Sequence, residues 1–343
     1  MSTSPIIDVV NSTRIVKNVD DINPAIVQMI EASDANFNYS LEFLQAYGLH
    51  PIQPVHDQWY LEIYGRSGKP IAFAPCYAQG DPLQALGLAD TELALLSHVW
   101  HCSDSRLVAS AEISPEVAEI AIGAMRHIAH QAGLRRCGFI NVAADSPTAN
   151  ALESIGLIAA PIDTRYWLDL NACGDEEGYL ARLDRSARRE YRRHQNRARD
   201  AGVVVTHRSA SADEDLNQLK LFESTMARVG SPGYYSAERL AAFLAEAPSA
   251  RIIEISSAGT LLAMGIIFAD SSRIHAWACG WIRDPGLPFS PYYLIWAETL
   301  RLGFQIGVPR LEGGRRNGPF KERYGMAAQP LNAYLTDSRL STR

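Results

Sequence analysis

The chain repeats its own plan. Trp59–Tyr77, WYLEIYGRSGKPIAFAPCY, sets two β-rich runs around a Gly-Lys-Pro turn. Arg251–Ala269, RIIEISSAGTLLAMGIIFA, does the same around Ala258-Gly259. Each reads as a β-hairpin. A further strand candidate follows each one, Ser105–Ile113 in the first half and Arg273–Trp281 in the second. Ser114-Pro115 then opens a helix that closes near Gly133, and Ser290-Pro291 opens one that closes near Gly307. Ser caps such a helix, Pro fits its first turn, and Gly supplies the left-handed exit. Strands at Cys137–Val142 and Arg310–Gly313 complete the two copies. Because order, caps and spacing agree, the sequence predicts a duplicated α/β chain. The division is expected around Pro161–Gly174, where a strand (Thr164–Leu170) runs into the turn-rich, acidic NACGDEEG. This gives domains at 1–165 and 166–343.

Composition fits two domains. The 343 residues allow two sizeable cores, and 47% hydrophobic with 20% charged residues excludes a disordered or collagen-like chain. The net charge of -6 argues against a coat for polyanions, and DNA is not an expected partner. The five cysteines, Cys76, Cys102, Cys137, Cys173 and Cys279, are odd in number and form no CxxC, which speaks against a disulfide framework or a zinc ribbon. The start, MSTSPIIDVVNSTRIVKNVDD, lacks the basic and apolar blocks of a signal peptide. The longest apolar run, Leu261–Ala269, is far short of the ~20 residues a membrane span needs. A cytoplasmic protein without a membrane span is expected.

Tyr179–Gly202, YLARLDRSARREYRRHQNRARDAG, is the least ordinary segment. Leu180, Leu183, Ala187, Tyr191, His194, Ala198 and Ala201 recur at three- and four-residue steps, the stripe of one amphipathic helix ended by Gly202. Around the stripe stand Arg182, Arg185, Arg188, Arg189, Arg192, Arg193, Arg197 and Arg199, against only Asp184, Glu190 and Asp200. Most charge runs are solvated helix faces, but those usually mix their signs. Like charges one turn apart repel, and the planar guanidinium fork suits phosphate. Arg185, Arg188, Arg189, Arg192 and Arg193 are therefore expected to meet a phosphate-bearing partner, with RNA, CoA or a nucleotide-linked substrate all suitable.

Near the end stands LEGGRRNGPFKERYG, Leu311–Gly325. A strand ends in Glu312, a glycine-rich loop follows, and then Phe320-Lys321-Glu322-Arg323-Tyr324-Gly325. An acidic residue and glycines ahead of aromatic-Lys-x-x-aromatic-Gly resemble the C-terminal signature of Fem-type aminoacyltransferases, and the Arg-rich helix leading into the strand Val203–Thr206 is similar to theirs. The resemblance covers the duplicated plan and most of the chain. It implies two tandem GNAT-like domains, each a mixed, mostly antiparallel sheet flanked by helices. It also implies transfer of an amino acid from aminoacyl-tRNA to the amine of a small molecule or peptide, with no resident cofactor. The long helical arm of the bridge-forming members has no room here, which leans the acceptor towards a natural product.

That chemistry assigns roles. An aminoacyl ester is already activated, so the enzyme must align the amine and steady the oxyanion. Only Lys17, Lys69, Lys220 and Lys321 are lysine among 32 basic residues. The rarity of lysine and the family resemblance together point to Lys321 as the oxyanion cation, against the plainer reading of a snorkelling side chain. Glu312 is expected to hold the acceptor amine or take its proton, unless it is a structural ion-pair partner. Arg315, Arg316 and Arg323 are candidate ligands for the donor's phosphates. Tyr234, Tyr235, Tyr292 and Tyr293 are candidates to shape the acceptor pocket or to stack on the terminal base. Two rivals remain. One is an acyl-CoA-dependent N-acyltransferase, although neither SRLVASAEISPE nor WIRDPGLPFSPYY carries the Q/R-x-x-G-x-G/A loop that would seat pyrophosphate. The other is a non-catalytic RNA- or ligand-binding module. His98, His101 and Cys102 lack a fourth ligand cluster, so no metal site is expected. His127 and His130 read as ordinary helix residues, and His275 and Trp277 as core packing.

Overall fold

In the computed structural model, which describes residues 10–339, the chain divides into two compact units. The first holds residues 10–48, 54–163 and 330–339, and the second holds 49–53 and 164–329. The expected boundary between residues 165 and 166 falls inside the strand Ala160–Asp169.

The first unit begins with β1 (Val10–Val16), α1 (Pro24–Ala32) and α2 (Leu41–Leu49). The expected hairpin follows as β2 (Val55–Gly65) and β3 (Pro70–Gln79), paired antiparallel. Next come β4 (Ala94–Ser97), β5 (Val108–Ala109), α3 (Pro115–Gln131), β6 (Arg136–Ala143), α4 (Pro147–Ser154) and β7 (Ala160–Asp169). The third strand differs from expectation. It is β4, which runs parallel to β6, whereas Ser105–Ile113 yields the two-residue β5 against β3 and a single bridge from Ser105 to Val142. All four residues of β4 are buried, so they offer no polar alternation for a period-two reading to find. Apolar residues of α3, including Ala121, Ile122 and Met125, pack on Leu61, Ile63, Ala72 and Ala74 of the hairpin.

The second unit adds α5 (Glu176–Arg182), α6 (Arg185–Asp200), β8 (Val204–Ser209), α7 (Leu216–Arg228) and α8 (Ala237–Ala245). The second copy of the repeat then reads β9 (Arg251–Ser257), β10 (Thr260–Ala269), β11 (Arg273–Trp281), α9 (Pro291–Ile306) and β12 (Arg310–Arg315), followed by α10 (Gly318–Arg323). Strand order is β7-β12-β11-β10-β9-β8. Neighbours are antiparallel except β11 and β12, which pair in parallel from Arg273 with Arg310 to His275 with Glu312. There the ladder ends although both strands continue. Leu294, Ile295 and Leu300 of α9 close the core over Ile253, Ala263, Ile274 and Leu311. The chain's last strand, β13 (Ala327–Asp337), pairs antiparallel with β6 from Leu331 onward, within the first unit.

The basic segment is two helices, not one. Leu183 is extended, and the Asp184 carboxylate accepts from the N–H groups of Ser186 and Ala187, starting α6 afresh. A residue read as a minority charge is in fact the cap that breaks the helix. Among the described residues no helix is long and apolar enough to cross a membrane.

Candidate active site

The segment between β12 and α10 is shaped by close backbone approach. A Cβ on Gly318 would lie 2.4 Å from the Tyr166 hydroxyl, so any larger residue there would push that ring aside. Arg316 and Asn317 both hold left-handed backbone, at φ 65° and 54°, a conformation costly for side-chain-bearing residues. The turn delivers Lys321 inward. Only 4% of Lys321 is exposed. Its Nζ donates to the Arg315 carbonyl at 2.6 Å and lies 5.3 Å from the centre of the Tyr166 ring, a cation–π contact. Tyr324 anchors the far end of α10: its carbonyl accepts from the Tyr179 hydroxyl at 3.0 Å and its hydroxyl donates to Ala187 O at 3.4 Å.

Glu312 sits on the other side of β7. It is 3% exposed, with Arg165 Nη1 and Arg310 Nη1 each 3.8 Å from its carboxylate. Neither oxygen makes a hydrogen bond among the described residues. Successive side chains on a strand face opposite ways, so Arg165 beside Glu312 and Tyr166 beneath Lys321 lie on opposite faces of β7. The structure does not bring Glu312 and the Lys321 amine to one face. Glu312 is instead paired across the sheet with His275, at the point where β11 and β12 part. His275 is buried, with Nε2 2.8 Å from Asp270 Oδ2. Burial would raise the Asp270 carboxyl, but His275 and Arg273 overcome it and hold Asp270 at about 2.

The three arginines near Lys321 disperse. Arg315 Nη2 donates to the Tyr234 hydroxyl at 3.1 Å, Arg316 is exposed, and Arg323 turns to α6, with Nη2 2.7 Å from Glu190 Oε2. Tyr234 and Tyr235 are buried edge-to-face, 5.1 Å apart. Tyr292 and Tyr293 are half-buried at the start of α9, where both meet Phe320 edge-on, at 4.9 and 5.0 Å. The aromatic residue before the lysine thus locks α10 onto α9.

On α6 the buried side is Ala187, Tyr191 and Ala198, as the stripe predicts. Arg192 pairs with Glu177 at 2.7 Å and Arg193 with Glu190 at 3.2 Å. Arg185 and Arg189 are exposed and Arg188 half-exposed; among the described residues none of the three pairs with a carboxylate. His194 does more than fill the stripe: Nδ1 accepts the Ser290 N–H at 3.0 Å, and its ring lies 4.1 Å from that of Tyr293. Correspondingly, Ser290 does not cap α9 with its own side chain, contrary to expectation.

Elsewhere, His98 is buried and bound to Asn38 O and to the Val99 N–H, and burial lowers it to about 3. Among the described residues no group of three or more His, Cys, Asp or Glu is placed to hold a metal ion. His127 and His130 are exposed on α3. Trp277 stacks on Phe243 and meets Phe268 edge-on. Residues unremarkable in sequence become important here. Arg165 and Tyr166 divide the site between two faces, yet they stand about half the chain before Lys321, with no local spacing to reveal them.

No curated protein matches the sequence. Residues 185–322 match the family model for the acetyltransferase (GNAT) domain. Among solved structures the chain is similar to FemX, with 10% identity and a TM-score of 0.61 over 90% of this chain and 94% of that one. It is also similar to a tandem GNAT protein from the clavulanic acid biosynthesis pathway, at 11% identity and a TM-score of 0.58 over 96% and 100% of the two chains. A third likeness is to the C-terminal domain of a putative lysylphosphatidylglycerol synthetase from Agrobacterium fabrum, at 14% identity and a TM-score of 0.55 over 92% and 91%. At such identities the likeness concerns the fold, which is the GNAT-type acyltransferase fold in tandem, with an acetyltransferase-type domain matched over residues 185–322.

Proposed function

We propose that the chain is an aminoacyl-tRNA-dependent N-aminoacyltransferase acting on an amine of a small molecule or peptide. One observation carries this reading. Within one unit, α10, which carries the buried Lys321 amine, is tied through Arg323 and Glu190 to a helix whose arginines Arg185, Arg188 and Arg189 lack carboxylate partners among the described residues. An unpaired guanidinium face suits the phosphates of a large RNA-borne donor better than a single small anion. The resemblance of the Phe320–Gly325 motif to Fem-type aminoacyltransferases points the same way.

In this mechanism the acceptor nitrogen attacks the ester carbonyl and a C–N bond forms. Negative charge gathers on the carbonyl oxygen, where the Lys321 ammonium steadies it, its position fixed by the Arg315 carbonyl. Collapse breaks the ester C–O bond; the ribose oxygen leaves and takes up the proton that the amine gives up. Glu312 faces away from the Lys321 amine across β7 and takes no direct part in the step; its role in this reading is the structural one, a buried ion-pair partner of Arg165 and Arg310. Arg315, held by Tyr234, and the exposed Arg316 border the donor side, and Tyr292 and Tyr293 back it through Phe320.

The test is transfer of a labelled amino acid from charged tRNA to a panel of amines. Formation of the amide, abolished by ribonuclease treatment of the donor, supports the reading; transfer that survives the treatment defeats it. The acetyltransferase-type match over residues 185–322 favours a second reading, an acyl-CoA-dependent N-acyltransferase. Tight CoA binding by calorimetry together with acetyl transfer to the same amines would establish it.

A further inference from the structure

We propose that His194 is a positioning residue: its neutral ring pins the first turn of α9 to the arginine helix, and protonating it releases the pin. The start of α9 has no side-chain cap of its own. The loop ahead of it is held by α6 at two points. Arg197 Nη1 donates to Pro288 O at 3.1 Å, and the Ser290 N–H donates to His194 Nδ1 at 3.0 Å. Accepting a backbone N–H requires Nδ1 to be bare, so the proton of the neutral ring is on Nε2. The ring also lies on Tyr293, which meets Phe320 and Tyr324 of the Lys321 segment. A protonated Nδ1 would point one N–H at another and lose the bond.

The surrounding charges favour the neutral form. Burial comes first, then the positive charges of Arg193 and Arg197, and only Glu190 opposes them. Glu190, 3.9 Å from Nε2, is itself shared with Arg193 and with Arg323 of the α10 segment. On the α9 side the ring faces Tyr293, which carries no charge near neutrality. The His194 pKa is therefore lowered from its usual 6.5. The unfolded chain takes up this proton before the folded one does. The pin's contribution is thus complete above the unfolded value and fades as pH falls through the folded one.

The pin rests on this geometry alone; its meaning for turnover rests on the function proposed above, because it joins the phosphate-facing helix to the aromatic wall behind Lys321. The experiment therefore reads the pin without RNA or amine. Amide hydrogen-exchange protection of Ser290 is measured in the full chain from pH 5 to 8, for the parent, His194→Asn and His194→Phe. Asn keeps an acceptor that does not titrate, and Phe keeps a ring with no acceptor. The parent should lose about tenfold in protection as pH falls, Asn should stay protected throughout, and Phe should be weakly protected at every pH. A flat parent profile overturns the proposal, as does full protection in His194→Phe. Should the Phe variant fail to fold, His194→Asn decides: a profile that still falls with pH as the parent's does assigns the titration to another group and sinks the pin.

Discussion

The two copies of the repeat start their helices differently. In the first unit, Ser114 caps α3 through its hydroxyl, accepting from Val117 N–H, and Ser146 caps α4 by accepting from Ala149 N–H. In the second unit the helices at the same places in the repeat, α9 and α10, have no side-chain cap: Ser290 instead donates its own N–H to His194, and Asn317 enters α10 with left-handed backbone. All four helices carry Pro in their first turn, so the plan is shared and only the capping differs. The first copy satisfies its own backbone locally. In the second, no side chain caps the starts of α9 and α10, and Tyr292 and Tyr293 stand in the first turn of α9. The two copies thus share one plan and differ in how these helix starts are capped.

The hardest break of this contrast is Lys321→Met. Removing the cation from the α10 end should lower the transfer rate about 10²–10³-fold if it steadies the oxyanion, while the melting curve shows a folded chain. Retained transfer in a folded variant would remove Lys321 from the mechanism. The arginine face gives a smaller effect. Replacing Arg185, Arg188 and Arg189 by Gln should flatten the dependence of log K on log salt for tRNA by about 0.7 for each phosphate no longer neutralised. An unchanged slope would show that these side chains meet no phosphate.

Gly318→Ala tests how α10 is seated. The new Cβ would fall on the Tyr166 hydroxyl, and the ring beneath Lys321 would have to shift. Overpacking of this kind costs about 1–3 kcal/mol, and denaturant unfolding should show it. Gly123 on α3 is the control: nothing lies within 4 Å of a Cβ there, so Gly123→Ala should be neutral or stabilising through helix propensity.

What could be read in the sequence was whatever is written locally. Both hairpins, the two Ser-Pro helix starts and the buried stripe of α6 rest on residues a few positions apart, and each is found in the structure. The strand β4 escaped because four consecutive buried residues show no periodicity. Asp184 escaped because a charge inside an arginine run looks like part of the run. The candidate site was legible only as a set of residue types. That Glu312 and Lys321 face opposite sides of β7 depends on Arg165 and Tyr166, and the Ser290 N–H is held by a histidine 96 residues away. Contacts of that range leave no spacing to detect.

The finest test is a pair of matched substitutions at the two Ser-Pro starts. In Ser114→Ala the Val117 N–H loses the hydroxyl that accepts its bond, and removing a cap of this kind costs about 1 kcal/mol. In Ser290→Ala no side-chain bond disappears, because the residue bonds only through its backbone N–H and carbonyl, which alanine keeps. Equilibrium unfolding in urea should therefore separate two chemically identical changes at the same place in the repeat, with only the first lowering stability. Equal losses would mean that Ser290 uses its hydroxyl in solution and that the two copies are capped alike, which removes this asymmetry between them.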